Sequence, residues 1–376
     1  MRYPVGSMRR YEFLALGVLA ALPLLTGCPN NTKTPDAPAG TGTANGTTIV
    51  PGQSTSTRGA LKAGLVTDVG GVDDRSFNAS AWAGLQKAEK DLGAKIKYVE
   101  SRQRDDYVPN LTRFAKDKYD VVFAVGTMMK DAVREVAEKN PTVRFVLIDG
   151  EDLGMPNVAS YRFREEEGSF LAGALAGKMS KTGVVGFVGG MQMPLIEKFQ
   201  FGYQAGAQMT NPNISVLVGY AGKFNDPAKG QEIAISQMNG RADIIYHAAG
   251  GSGVGVIKAV AAKGKGYYAI GVDQDQDAIA PGRVLTSMVK RIDKAVLHAA
   301  NKVNNDEFER GEVVWGLKED GVGLSEMKYT KKDIPDGVLK EIDDLKQKII
   351  DKKIIIPVTL RDYEDFSKRK PDADNP

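Results

Sequence analysis

The loop Asp68-Val69-Gly70-Gly71-Val72-Asp73-Asp74-Arg75-Ser76-Phe77-Asn78 is dense in side chains that make hydrogen bonds. It joins an apolar run at 60–67 to residues 79–92, where Ala81, Trp82, Leu85, Ala88 and Leu92 recur at helical spacing. Strand, polar glycine-bearing loop and helix make the first βα unit of an open α/β sheet, and such sheets bind ligands beyond the carboxyl ends of their strands. This loop is the first candidate site. A second follows the apolar stretch 242–249, at Gly250-Gly251-Ser252-Gly253-Val254-Gly255. It departs from G-x-G-x-x-G, G-x-x-x-x-G-K-[ST] and G-x-S-x-G, so it is no dinucleotide fingerprint, P-loop or nucleophile elbow. Its glycines suit backbone N–H groups meeting a polar ligand at a helix N-terminus. Two histidines, His247 and His298, lie in different elements, Cys28 is the sole cysteine and no H-E-x-x-H occurs. A His/Cys metal site and thiol redox chemistry are therefore excluded, and no cofactor is implied.

These candidates need a scaffold, and the chain supplies one by alternation. Strand-like runs at 96–100, 119–125 and 143–149 are separated by helical segments at 110–118 and 130–139, the latter ended by Pro141. The pattern then restarts. Helices are expected at 165–178, 194–209, 227–239 and 254–263, with strands at 184–188, 215–220, 242–249 and 267–272. Small residues in 165–178 (Ala172, Gly173, Ala174, Ala176, Gly177) allow close helix packing. Repeated βαβ units at this spacing predict two similar doubly wound parallel-sheet lobes. Strand-like pieces at 284–288, 313–315 and 354–358 are expected near the lobe crossings, and late helices at 293–304 and 335–352. The expected organisation is one lobe of residues 60–162 with about 291–314, another of 163–290 with about 315–367, and a frayed tail at 368–376.

At 376 residues the chain is long enough for two lobes, and its net charge of +3 with no long basic block gives nucleic-acid binding no support. The N-terminus has its own composition. Arg9-Arg10 precedes an apolar run at 13–25, too short for a comfortable membrane span, which ends in Leu25-Thr26-Gly27-Cys28. Residues 1–28 therefore read as a signal peptide. Residues 29–59, rich in Thr, Gly, Asn, Pro, Ser and Ala, lack the apolar surface to fold. A flexible coil of that length reaches about 30 Å.

Several stretches together resemble a known family. Asp74-Arg75-Ser76-Phe77-Asn78 after an apolar strand resembles the D-x-S-F-N signature of the basic membrane protein family. Further similarities follow in order: Glu166-Glu167-Gly168-Ser169-Phe170, Gly189-Gly190-Met191 with Pro194 and Phe199, Phe224-Asn225-Asp226-Pro227, Gly271-Val272-Asp273-Gln274-Asp275 and Thr286-Ser287-Met288-Val289-Lys290. The resemblance implies a type I periplasmic-binding-protein fold, two lobes closing on a ligand by hinge motion. It implies a non-enzymatic, monomeric receptor that hands purine nucleosides to an ABC permease. Leu25-Thr26-Gly27-Cys28 resembles a bacterial lipobox, which implies lipidation of Cys28 and a membrane-anchored protein facing the periplasm or exterior.

The same resemblance, joined to the chemistry of a nucleoside, implies site roles. Trp82 and Phe199, one per lobe, would stack the base; the spacing of Trp82 also fits a core position. Asp73 and Asn78 would take polar edges of base or ribose, or else cap the helix, with Asp74 and Ser76 as rival caps. Asp131 would hydrogen-bond the ligand or simply favour a helix dipole. Asp273 would accept from the ribose diol and Lys290 donate to it, the alternative being an ordinary salt bridge between them. Gly251 would offer a backbone N–H, and Phe224 either lines the pocket or packs beneath it. Another small polar ligand, such as a sugar or signalling molecule, is the alternative for the same fold. A nucleoside hydrolase or phosphorylase would need a metal or phosphate site, and neither is apparent.

Overall fold

The computed structural model describes residues 59–368. The expected signal peptide with Cys28, the expected tether up to residue 58 and the tail from 369 lie outside them. In chain order come first β1 (Lys62–Val66), α1 (Phe77–Leu92), β2 (Lys95–Val99), α2 (Tyr107–Lys116), β3 (Val121–Val125), α3 (Lys130–Lys139), β4 (Arg144–Ile148) and β5 (Val158–Phe163). There follow α4 (Glu165–Met179), β6 (Val184–Gly189), α5 (Pro194–Thr210), β7 (Ser215–Tyr220), α6 (Pro227–Asn239), β8 (Ile244–Ala248), α7 (Gly251–Lys263), β9 (Tyr268–Asp273) and β10 (Val284–Lys290). The chain ends through α8 (Ile292–Asn304), β11 (Gly311–Trp315), β12 (Val322–Leu324), α9 (Val338–Ile350) and α10 (Leu360–Lys368).

Two six-stranded sheets result, ordered β11-β5-β4-β3-β1-β2 and β12-β10-β9-β8-β6-β7. Every pairing is parallel except that of β10 with β12. Central strands such as β3 (Val-Val-Phe-Ala-Val) are buried along their whole length, as a sheet covered by helices on both faces requires. Glycines bring α4 and α5 into contact: a Cβ on Gly173 would lie 2.0 Å from the Tyr203 carbonyl oxygen, and one on Gly206 1.9 Å from that of Phe170. No larger residue fits this crossing.

Three crossovers join the lobes. After β5 the chain passes through Arg164 into α4, which packs on α5, β10 and β12. After β10 it returns through Arg291 into α8, which packs on α1. The third runs between β11 and β12. They are knitted together: Arg164 N donates to the Trp315 carbonyl at 2.9 Å, Arg291 N to that of Gly321 at 2.8 Å, and Leu317 N to Glu167 Oε2 at 2.7 Å.

Four elements differ from expectation. The segment 354–358 is not a strand: Lys352 turns at φ 60°, Pro357 offers no N–H for a ladder, and Ile355 faces solvent. Conversely, β5 carries Ser160 and Arg162 among its apolar residues, and β12 is three residues long, so neither has a strong strand pattern. Helix α10 also went unforeseen; its Tyr363 stacks on Phe201 of α5 at 5.8 Å.

Candidate functional site

The strand ends of the two sheets face each other across a cavity. The first lobe contributes Asp68 and Asp74 from the loop after β1, Phe77 and Asn78 at the start of α1, Gly126, Thr127 and Met128 after β3, and Asp149 after β4. From the second lobe come Met193, Ile196 and Phe199 at the start of α5, together with Phe224, Gly250, Asp273 and Lys290. Every contribution sits where an open α/β sheet presents its binding groups.

The first loop is held from within. The Asp74 carboxylate accepts from the backbone N–H groups of Ser76, Asn78 and Ala79 at 2.9–3.0 Å, so Asp74 is the residue that caps α1. Asn78 donates Nδ2 to Asp68 Oδ1 at 2.7 Å and to Asp74 Oδ2 at 3.1 Å, while its Oδ1 accepts from Asp68 N at 3.3 Å. Asn78 thus borders the cavity chiefly as the brace that aims Asp68.

The back of the cavity is ionic. Lys290, 1% exposed, places Nζ 2.6 Å from Asp149 Oδ2 and 2.9 Å from Glu165 Oε1. The rings of Phe77, Phe163 and Phe199 surround the same ammonium at 5.3, 5.0 and 5.5 Å. Asp273 accepts a hydrogen bond from the Ser76 hydroxyl across the cleft. Burial pushes the carboxyl groups up, Asp68 to about 6 and Asp273 to about 7, with Asp149 also raised. Burial works against the Lys290 charge, but Asp149, Glu165 and Asp273 outweigh it and hold the ammonium protonated. The site can therefore accept from hydroxyl or amino groups at several carboxylates, donate from one ammonium and enclose a flat apolar surface between rings.

Residues 61–359 match the family described as Bmp, ABC transporter substrate-binding protein PnrA-like. The chain belongs to the Bmp family. It is 39% identical over 313 residues to the CD4+ T-cell-stimulating antigen of Listeria monocytogenes, covering 78% of this chain and 87% of that one. It is 37% identical over 317 residues to the ABC transporter nucleoside-binding protein BmpA of Lactococcus lactis, covering 79% and 89%. An ABC transporter solute-binding protein structure from Aeropyrum pernix superposes with a TM-score of 0.73 at 29% identity, over 81% of this chain and 96% of the other. This Bmp-family chain is thus an ABC-transporter substrate-binding protein with the two-lobed fold of periplasmic binding proteins, and that class takes a small-molecule ligand and an ABC permease as partner.

Of the residues singled out in this Bmp-family sequence, the fold brings Asn78, Phe199, Phe224, Asp273 and Lys290 to the cavity. It does not bring Asp73, Trp82, Asp131 or Gly251. Asp73 is exposed on the outer side of its loop, one residue before the true cap. Trp82 packs edge-on against Tyr98 at 4.8 Å, as helical spacing against β2 allows; Phe77, five residues earlier, supplies the first lobe's ring instead. Asp131 is 93% exposed and pairs with Arg134 at 3.2 Å along α3. Gly250 borders the cavity in place of Gly251. The glycine run is largely a packing device: a Cβ on Gly253 would lie 1.9 Å from His247 Nδ1, and Ser252 N already donates to the Phe224 carbonyl at 3.0 Å. Lys290 and Asp273 are not paired directly; Lys290 bridges to Asp149 and Glu165.

Asp68 and Asp149 were not foreseen. The signal was available, because each follows an apolar strand, Leu61-to-Val66 and Phe145-to-Ile148, just as Asp273 follows Ala269-to-Val272.

Proposed function

We propose that this protein captures purine nucleosides between its lobes and passes them to an ABC permease. The arrangement that supports this reading is the pair Phe77 and Phe199, rings from opposite lobes that border one cavity together with Asp273 and Lys290. A flat base fits between two rings, and a vicinal diol fits a carboxylate that accepts beside an ammonium that donates. Asp68, aimed by Asn78, faces the same space as a partner for a polar base edge. The nucleoside-binding BmpA of Lactococcus lactis, at 37% identity, supports the ligand class. In this reading, residues 60–162 with about 291–314 and residues 163–290 with about 315–367 move as lobes, and the three crossovers are the hinge. The protein binds as a monomer and catalyses no reaction. Cys28, within Leu25-Thr26-Gly27-Cys28, carries the lipid that anchors it outside the cytoplasm.

Isothermal titration of the delipidated protein with inosine, guanosine, adenosine, cytidine and ribose, with product analysis of each mixture, tests the binding reading. Purine nucleosides should bind best and be recovered intact. Tight binding of ribose alone would overturn the nucleoside assignment, and release of free base would overturn the receptor. For the anchor, Cys28→Ser should abolish palmitate labelling and release the protein from the membrane fraction.

A further inference from the structure

Among the described residues, four hydrogen bonds join the second lobe to the loop after β1, and three of them are donated by second-lobe side chains that do not border the cavity. Gln276 Nε2 donates to the Arg75 carbonyl at 2.8 Å, and Gln274 Nε2 to the Ser76 carbonyl at 2.9 Å. Ser76 Oγ donates to Asp273, and Asn225 Nδ2 to the Val69 carbonyl at 3.3 Å. The residues gripped, Arg75 and Ser76, immediately precede Phe77 and Asn78, which do border the cavity.

Gln276 is built into place. It is 2% exposed, its backbone N–H donates to Ser287 Oγ at 3.0 Å, and its Oε1 accepts from Val272 N at 3.0 Å. His247 Nε2 lies 3.0 Å from that same oxygen. Because a backbone N–H can only donate, Oε1 must be the oxygen of the carboxamide, and His247 must present Nε2–H to it. Both acceptor sites of Oε1 are then filled, which fixes the carboxamide and turns its NH₂ to the Arg75 carbonyl. The tautomer leaves His247 Nδ1 bare, and Nδ1 has no hydrogen-bond partner and packs against Gly253. Burial keeps the imidazole neutral, its pKa lowered to about 4. Glycines at 253 and 271 leave room for this stack, since a Cβ on Gly271 would sit 2.6 Å from Gln276 Oε1.

We propose that Gln276, aimed by His247 and assisted by Gln274, is a closure latch: a positioning residue that touches no ligand yet sets how long the lobes stay together around one. It holds the backbone that carries Phe77, so releasing it frees a cavity wall. Separation of the lobes must break these bonds, so the latch slows opening and leaves ligand entry unchanged. The ligand arm of the test rests on the nucleoside reading; the distance arm does not.

The full chain carrying Cys28→Ser is spin-labelled at Lys90→Cys on α1 and Lys258→Cys on α7, with Gln276→Met, Gln274→Met or neither. Interlobe distances are measured by pulsed electron resonance, and inosine and adenosine kinetics by stopped flow. Gln276→Met should lengthen the distance distribution and raise the dissociation rate constant about tenfold for both nucleosides, with the association rate within about twofold. Gln274→Met, which leaves no buried group unpaired, should act in the same direction by about threefold. Native circular dichroism with unchanged distances and dissociation rates would overturn the latch, as would a loss confined to association. Should Gln276→Met not fold, Gln274→Met decides on the same criteria. Failure of the unsubstituted chain to bind either nucleoside would overturn the ligand assignment, and the distances would still decide the latch.

Discussion

Asp149 and Asp273 hold the same place in the two lobes. Each stands at the end of the third strand in its sheet order, β4 or β9, each has φ 65°, and each faces Lys290. A left-handed backbone is uncommon for a residue with a side chain and costs on the order of 1 kcal/mol or more. Here it turns each carboxylate out of the strand line and into the cleft. The two carboxylates nevertheless differ in partner: Asp149 is tied to Lys290 at 2.6 Å, whereas Asp273 takes a hydroxyl hydrogen bond from Ser76.

That asymmetry assigns Lys290 a structural duty beside any ligand contact. Lys290→Met would leave Asp149 buried without its ion-pair partner and Glu165 with only Lys198 at 3.7 Å, and removing one partner of such a cluster costs about 3–5 kcal/mol. Urea unfolding should show that loss. Combining it with Asp149→Asn should cost less than the sum of the two single substitutions, because they share one interaction.

Asp273→Ala should weaken nucleosides far more than free bases. Losing a charged acceptor of two hydroxyl groups corresponds to about 1.5–3 kcal/mol, an order of magnitude or more in affinity. Titration of inosine beside hypoxanthine reads the difference, and equal weakening of both would remove Asp273 from the ribose.

The aromatic residues separate by location. Phe77→Ala and Phe199→Ala should each lower nucleoside affinity by roughly 1–3 kcal/mol of stacking. Trp82→Ala should lower the melting temperature through its lost contact with Tyr98 and leave affinity near that of the unsubstituted protein. Asp131→Asn, at an exposed carboxylate paired along its own helix, should change neither.

Stability and binding should respond to pH in opposite directions at Asp273. Its carboxyl is raised by burial from 3.8 to about 7, so the folded state holds this proton more tightly than the unfolded chain. The resulting stabilisation is fully present below about pH 3.8 and disappears as pH rises through 7. The ionised form is the one that accepts from a diol, so nucleoside affinity should rise between about pH 6 and 8. Asp273→Asn should make both profiles shallower, with Asp68 and Asp149, also raised by burial, supplying the slope that remains, read by urea melts and by titration across that range.

Much of the architecture was legible because its physical cause is local. Buried parallel strands must be apolar throughout, as at Val121–Val125, and helices between them must repeat near 3.6 residues, so two lobes follow from pattern alone. The glycines of α4 likewise announced a tight helix crossing, which Gly173 against Tyr203 fulfils. Candidate loops were legible too, since strand ends are where such sheets bind ligands. Individual roles within those loops were not. Whether Asp73 or Asp74 caps α1, and whether Phe77 or Trp82 faces the cavity, turns on a residue or two of helical phase that neighbours decide.

Pairings across the cleft lay further out of reach. Lys290 meets Asp149 over 141 positions and Gln276 meets Arg75 over 201, and no local periodicity encodes which strand end will face which. The amino-acid sequence by itself determined the alternation, the two lobes, the family and the candidate loops. Only the tertiary structure decided which carboxylate takes the ammonium, which ring closes the cavity and which amides bind one lobe to the other, because those choices depend on how three crossovers set two sheets face to face.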